Sequence, residues 1–395
     1  MSKRGIPSFL QGPAYYAIRG VLSAMLTGDI GANLRRAREL ARVYSRFEPT
    51  RVRRTMENLA VAFPEMPEEE RRAYAVHAYE HLFMLGVEMA HTPRLFSRDS
   101  WAEHVRLGSL NPAVRQMVSG RPCILITGHC GNWELLGYTL ALLGFGIHAL
   151  YRPLDLPALD SWVRQTRERR GLVLMDKFGA AQAIPRLMHK GALVGFIADQ
   201  NAGDRGLFVP FFNRLASSYK SIGLMAIHHD APIVCGQARR LVSWREGGGV
   251  TDEEELRNAV GYEGYSHEPF RYHIDVNDVI MPEEWKSQPD PLFYVSARYR
   301  RALEHMVRRA PEQNLWLHRY WKSRPRHEHM GKPLPRSLEN KIRALPWTTD
   351  QDVERIKDWS LRDAREIANR PPKPSVVAGL SASPTVKPAT VPAES

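Results

Sequence analysis

From residue 120 onward, short apolar runs alternate with segments whose apolar positions recur every three or four residues. The runs at 122–127, 146–151, 172–175, 192–198, 232–238 and 270–276 predict strands. Between and after them, 133–143, 157–170, 180–189, 217–229 and 294–310 predict helices. Such alternation argues an α/β fold, a central mixed, largely parallel sheet flanked by helices. Residues 1–100 read instead as a helical N-terminal region. There, 32–47 is rich in Ala, Leu and Arg, and 51–63 carries apolar positions at helical spacing. After Pro64-Glu65-Met66-Pro67 breaks the pattern, 68–89 forms a long amphipathic helix with Tyr74, His77, Ala78, His81, Leu82, Leu85 and Met89 along one stripe. Residues 246–268 read as an excursion or hairpin loop. The chain therefore divides into a helical region (1–100), an α/β domain (101–330), a helical extension (331–370) and a tail (371–395). That tail is dominated by Pro, Ala, Ser and Val and predicts disorder.

One apolar stretch raises the question of a membrane. Residues 15–26 are apolar except for Arg19 and two small polar residues. They fall short of the roughly 20 residues needed to cross a bilayer. Two readings stay open. In one, a helix lies in the membrane interface with Tyr15, Tyr16, Ile18, Val21, Leu22, Met25 and Leu26 buried in lipid. In the other, the same stripe packs into the protein. The first residues carry charge but no continuous apolar core or small-residue cleavage site, so no secretory signal is evident.

Composition changes the picture at two points. A net charge of +12 asks for an anionic partner, and nucleic acid, a phosphorylated small molecule and an anionic membrane surface all satisfy it. Three cysteines, Cys123, Cys130 and Cys235, exclude a disulfide framework or a Cys-rich zinc site. Cys123 and Cys235 lie in strand-like runs and are expected to be buried and inert. Cys130, beside His129, would need a base reaching it from elsewhere to act as a nucleophile. His77 and His81 stand four apart on a helix, but no nearby acids complete a metal set, and packing explains them better.

The chemistry concentrates at Gly128-His129-Cys130-Gly131-Asn132-Trp133-Glu134, where an apolar strand hands over to a helix. A base and a carboxylate at such a turn are the parts needed to deprotonate a hydroxyl. Glu134 is close enough in sequence to fold back onto the ring, fixing its tautomer and raising its basicity. The plainer alternative is a capping histidine and a solvated first-turn acid. Arg152 ends the next strand and would sit at the same sheet edge, its planar fork suited to a phosphate or carboxylate, with a surface ion pair as the plainer alternative. Asp199 and Gln200 end another strand and would reach the same edge, although an Asp-Gln after a strand is most often only a turn. The apolar run 207–212, including Phe208, suits the wall of an acyl tunnel, with a core strand as the alternative. Residues 314–324 interleave aromatic and basic residues, a mixture that fits single-stranded nucleic acid or a membrane interface.

Taken together and in order, these segments resemble the lysophospholipid acyltransferase superfamily. The resemblance is closest to the branch of late acyltransferases of lipid A biosynthesis and phosphatidylinositol mannoside acyltransferases. His129 through Glu134 resembles that family's His-x4-Asp/Glu block, and Tyr151-Arg152-Pro153-Leu154-Asp155 its second. Asp199-Gln200 through Phe212 resembles the third block and Ala231-Pro232-Ile233-Val234 the fourth. Segments 58–65 and 316–325 resemble flanking signatures. The short apolar segment at the amino terminus departs from relatives that carry a full transmembrane anchor.

The resemblance implies an enzyme at the cytoplasmic face of a bacterial inner membrane, peripheral or interfacial. It would move an acyl group from an acyl carrier protein or coenzyme A thioester to a hydroxyl of a membrane lipid or glycolipid. His129 would be the general base and Glu134 its partner. The amides of Gly131 and Asn132 would offer oxyanion donors, and Arg152 would hold an acceptor headgroup. Asp199 and Gln200 would contact the headgroup or support His129, and Phe208 and Arg319 would meet substrate. No metal or other cofactor is implied, and no nucleic acid is expected as partner. Two competing readings are a thioesterase using the same pair and a non-enzymatic basic binder of membrane or nucleic acid.

Overall fold

The computed structural model describes residues 8–369 apart from 152, 155, 170, 177, 178 and 242–269. Arg152, the loop expected at 246–268 and the tail lie outside the described residues. Four helices lead, α1 (Ser8–Leu26), α2 (Ile30–Arg46), α3 (Pro49–Ala62) and α4 (Glu68–Leu95). Asp29 starts α2 by accepting from the Ala32 amide at 2.7 Å. Then come α5 (Trp101–His104), β1 (Val105–Leu107), α6 (Asn111–Met117), β2 (Cys123–Thr127), α7 (Trp133–Leu142), β3 (Ile147–Tyr151) and α8 (Pro157–Glu168). The middle of the chain gives β4 (Val173–Asp176), α9 (Ala180–His189), β5 (Leu193–Ile197), β6 (Leu207–Phe211), β7 (Arg214–Ser218), α10 (Lys220–His228), β8 (Ile233–Arg240) and β9 (Tyr272–Ile280). Helices α11 (Pro282–Lys286), α12 (Pro291–Arg309), α13 (Arg326–His329), α14 (Arg336–Arg343) and α15 (Asp350–Ala368) follow, with a 3-10 turn at Pro311–Gln313 after α12.

All six apolar runs form strands of a seven-stranded sheet in the order β1-β9-β8-β2-β5-β3-β4. Strands β8, β2, β5, β3 and β4 run parallel, and β9 with β1 runs against them. The sheet is thus mixed and largely parallel. Side chains alternate across it. Ile124 and Ile126 join the main core with α9, α10 and α12, whereas Cys123 belongs to the opposite face with Ala141 of α7. That opposite face continues into a third cluster joining Leu34 of α2, Met84 and Val87 of α4 and Leu135 of α7.

Two expectations need correction. The helix expected over 217–229 starts at Lys220, because Ser217 and Ser218 pair in β7. The run 207–212 is a hairpin arm rather than a tunnel wall. β6 pairs antiparallel with β7 alone, closed by Phe212-Asn213, both at positive φ (52° and 53°), the conformation a two-residue type I′ turn requires. Phe211 and Phe212 are buried in the main core, and Phe208 packs against it.

The carboxy-terminal helices are tied to this hairpin by buried ions. Asp363 of α15 accepts from Arg214 Nε of β7 at 2.9 Å and pairs with Arg324 Nη2 at 2.7 Å. Arg324 also grips Glu328 of α13 through two bonds of 2.7 and 2.9 Å. Removing one partner strands buried charge. Asp363→Ala is expected to cost about 3–5 kcal/mol, read as a lowered urea-unfolding midpoint. A loss below 1 kcal/mol would show that water already compensates these arginines.

Candidate active site

Strands β2 and β5 lie side by side, parallel, with Thr127 opposite Ile197. The Ala198 amide donates to the Thr127 carbonyl at 2.9 Å, carrying the ladder one step further. His129 and Asp199, each two residues beyond that pair, therefore emerge at the same height. The connection leaving β2 runs through α7 on one face, and that leaving β5 runs through α10 on the other. Divergence of neighbouring connections opens a crevice at the carboxyl ends of the strands. Into it the His129 ring projects, its Nδ1 2.7 Å from Asp199 Oδ1.

An ionised carboxylate only accepts, so Nδ1 carries the hydrogen and Nε2 keeps its lone pair. Burial disfavours the His129 imidazolium, but the charge and hydrogen bond of Asp199 outweigh it. With a smaller contribution from Glu134, His129 titrates above its ordinary 6.5. Burial likewise works against the Asp199 carboxylate, yet His129, His318 and Arg300 hold it well below the usual range. Arg300, fully buried, donates to the Asp199 carbonyl at 2.6 Å and the Ala198 carbonyl at 3.1 Å.

The ring is held from two sides. Trp133 and His318 meet it edge-on, with centroids 4.7 and 4.6 Å away. Burial, together with the charge on His129, lowers His318 to about 4, so it is neutral at physiological pH. Gln200 does not reach His129. Its amide nitrogen lies 3.3 Å from His318 Nε2. Among the described residues, His129, Asp199 and His318 are the group that brings three ligand-type atoms within 4.8 Å of one another. The shortest of those separations is already a hydrogen bond.

Glu134 departs from expectation. It forms no hydrogen bond to His129 and instead takes both forks of Arg167 from α8, at 2.8 and 2.5 Å. The backbone of a helix's first turn swings its N2 side chain away from a ring on the preceding loop. The partner 70 residues off, Asp199, takes the place that proximity in sequence suggested for Glu134. Sequence alone does not single out Arg167, because it sits in the last turn of α8 in a run of Arg and Glu that reads as a solvated face.

The oxyanion assignment to Gly131 and Asn132 also fails. The Gly131 amide donates to Gln313 O at 3.0 Å, and the Asn132 amide to Ala238 O at 2.8 Å. Asn132 caps α7 instead, its side chain accepting from Leu135 N at 2.9 Å. Gly131 must lack a side chain. Its φ is +70°, and a Cβ there would lie 2.1 Å from the Ala238 carbonyl oxygen.

A cavity of about 360 Å³ opens beside His129, with Trp133, Glu134 and Arg167 among the residues lining it. It runs under α6 and α7 along the sheet face formed by Leu125, Ala149, Gly195 and Val234. The apolar space expected of the hairpin lies here, on the opposite face, and Phe208 does not line it. Arg319 is exposed and turned to solvent, while its neighbours Trp316, Tyr320 and Trp321 are buried. Those aromatics are core, available neither to lipid nor to bases. Cys130 is buried and held well above its ordinary value, chiefly by burial. Cys123 and Cys235 are buried as expected. His81 Nε2 lies 3.0 Å from the Gly131 carbonyl oxygen.

Residues 15–246 match the model of a family described as bacterial lipid A biosynthesis acyltransferase. The lipid A biosynthesis lauroyltransferase of Escherichia coli K12 is 26% identical over 295 residues, 72% of this chain and 84% of that protein. The palmitoleoyltransferase of the same strain and a lipid A biosynthesis acyltransferase of Shigella flexneri are each 26% identical over 273 residues, 68% of this chain and 78% of theirs. A solved 1-acyl-sn-glycerophosphate acyltransferase from Thermotoga maritima aligns over 69% of this chain and 97% of its own at 14% identity. The TM-score of that alignment is 0.29. The family match covers more than half of the chain, and the chain belongs to the bacterial lipid A biosynthesis acyltransferase family, an enzyme of acyl transfer to lipid.

Proposed function

We propose that the protein transfers an acyl chain from an acyl thioester, on carrier protein or coenzyme A, to a hydroxyl of a membrane glycolipid, with His129 as general base and Asp199 as its orienting acid. The observation that carries this reading is the 2.7 Å Nδ1–Oδ1 contact beside an apolar cavity. His129 Nε2 takes the hydroxyl proton as the oxygen attacks the thioester carbonyl. A C–O bond forms, the C–S bond breaks, and the imidazolium returns its proton to the departing thiolate. No covalent acyl-enzyme is needed, since base, positioning and an oxyanion donor suffice for a thioester. With the Gly131 and Asn132 amides committed, the first-turn amides of Trp133 and Glu134, orphaned at any helix start, take that role. The acyl chain lies in the cavity, where each methylene buried contributes about 0.8 kcal/mol. Glu134 acts by holding Arg167 at the cavity and by its longer-range charge on His129.

The enzyme would work at the cytoplasmic face of the inner membrane, facing a lipid acceptor and an anionic surface. No described helix is long and apolar enough to cross a membrane. Helix α1 leaves Phe9 75%, Tyr16 74% and Val21 70% exposed, which suits a helix lying in the interface.

Three measurements test this reading. His129→Ala is expected to abolish turnover in a folded protein, and lipid mass spectrometry of cells with and without the gene should show a lipid short by one acyl chain. Undiminished thioester cleavage without acceptor would favour a thioesterase instead.

A pH profile separates the two acids. His129 must be neutral to act, so kcat/KM should fall as pH drops through its raised value. In Asp199→Asn the raising influence is gone and burial dominates, so the acid limb should move to lower pH. There kcat should fall by roughly 10³–10⁴, as for an imidazole left in the wrong tautomer. Glu134→Gln should lower kcat by about a hundredfold with a smaller displacement of the limb. An acid limb that stays put in Asp199→Asn would remove Asp199 from this role.

Gly137 of α7 lines the cavity, and a Cβ there meets only Leu172 at 3.9 Å. Gly137→Leu should therefore fold, gaining up to about 1 kcal/mol of helix propensity. It should also shift donor preference toward shorter chains by roughly 10–200-fold in relative kcat/KM. Unchanged chain-length preference would move the acyl chain elsewhere.

A further inference from the structure

Beneath the loop that carries His129 lies a fully buried ion pair that the proposed chemistry does not use. Glu88 of α4 and Arg240 of β8 are both 0% exposed and joined through two contacts, one of 3.1 Å to Glu88 Oε2. Tyr272 OH donates to the same Oε2, and Asn132 Nδ2 donates to it at 2.9 Å. Asn132 is thereby strung between the buried carboxylate and the first turn of α7, which bears Trp133 and Glu134. The arrangement closes on itself. Arg240 N donates to Gln313 Oε1 at 2.8 Å, Gln313 Nε2 donates to Arg240 O at 3.0 Å, and Gln313 O accepts from Gly131 N at 3.0 Å. Seven residues before Glu88, on the same face of α4, His81 holds the Gly131 carbonyl at 3.0 Å. Leu315 N donates to the His129 carbonyl at 2.8 Å, fixing the loop's other side.

A buried ion pair is weak evidence for stability, since apolar replacement of the whole set is often neutral or stabilising. Here the pair presents one acceptor to one donor of the catalytic loop. We infer that Glu88 is a positioning residue for His129: through Asn132 its buried carboxylate fixes where the Gly131–Asn132 turn, and hence the imidazole, sits. The inference rests on His129 being the base.

The test separates placement from folding. In the triple variant Glu88→Met, Arg240→Met, Tyr272→Phe the charges and their hydroxyl partner leave together, so no buried ion is stranded. The expected result is a melting temperature at or above that of the parent, an unchanged KM, and kcat lowered tenfold to a hundredfold, the scale of a misplacement near 1 Å. Asn132→Ser is the second variant. It keeps a good helix cap but is too short to reach Glu88, and it should show the same fall in kcat at constant KM. As a readout apart from turnover, the low-field proton resonance of the His129–Asp199 hydrogen bond, assigned by its loss in Asp199→Asn, should shift in both variants. Parental kcat and an unmoved resonance in either folded variant would overturn the inference. Retained turnover in His129→Ala would instead sink the reading of the base, a different failure.

Discussion

Parallel pairing of β2 with β5 in one register is the constraint from which the site follows. Thr127 faces Ile197, and two residues later each chain presents the side chain that matters. A slip of one residue would send every β5 side chain to the other face of the sheet and carry Asp199 out of line with the ring. The pairing is fixed by apolar burial on both faces. Val194 packs with Ile124 in the main core, while Leu193 and Cys123 share the opposite one. Because neighbouring connections leave these two strands on opposite faces, the crevice and the cavity come from the same topology. Position, partner and cavity thus have one cause.

Electrostatics then makes that position useful. A carboxylate as buried as Asp199 needs compensation, and Arg300 supplies positive charge from below through the backbone carbonyls it grips. Asp199 remains ionised and passes its influence to His129 at 2.7 Å. A second cation beside the ring would undo this. His318 stands there neutral, because burial and the nearby His129 charge oppose its protonation. One buried negative charge therefore faces one basic ring with little competition.

Much of the sheet was legible in the chain, since apolar runs and helical periodicity are local signals. So was the loop from Gly128 to Glu134, where an apolar run meets a histidine and a carboxylate. The errors share a different origin. Glu134 looked like the partner of His129 because it is near in sequence, whereas Asp199 reaches the ring through strand pairing, which sequence spacing does not encode. The Gly131 and Asn132 amides looked free because their acceptors, Gln313 and Ala238, come from segments far along the chain. Phe208 and the aromatic–basic segment illustrate the same limit. An apolar strand and an interfacial motif have similar compositions, and only packing places Trp316 and Tyr320 in the core.

The same distinction reinterprets the net charge of +12. A basic total invites a nucleic-acid reading, yet several of these arginines never meet solvent. Arg240, Arg300 and Arg324 are buried, bound respectively to Glu88, to backbone carbonyls at the site, and to Glu328. Arg298 is committed to Asp278, and Arg167 to Glu134. These cations organise the interior and the cavity rather than advertise a surface. A guanidinium suits that work because its fork serves several acceptors at once and its charge survives burial. Most of these arginines are cancelled by the acids they hold and so do not supply the excess of +12; their part is to hold a polar cluster against an apolar sheet.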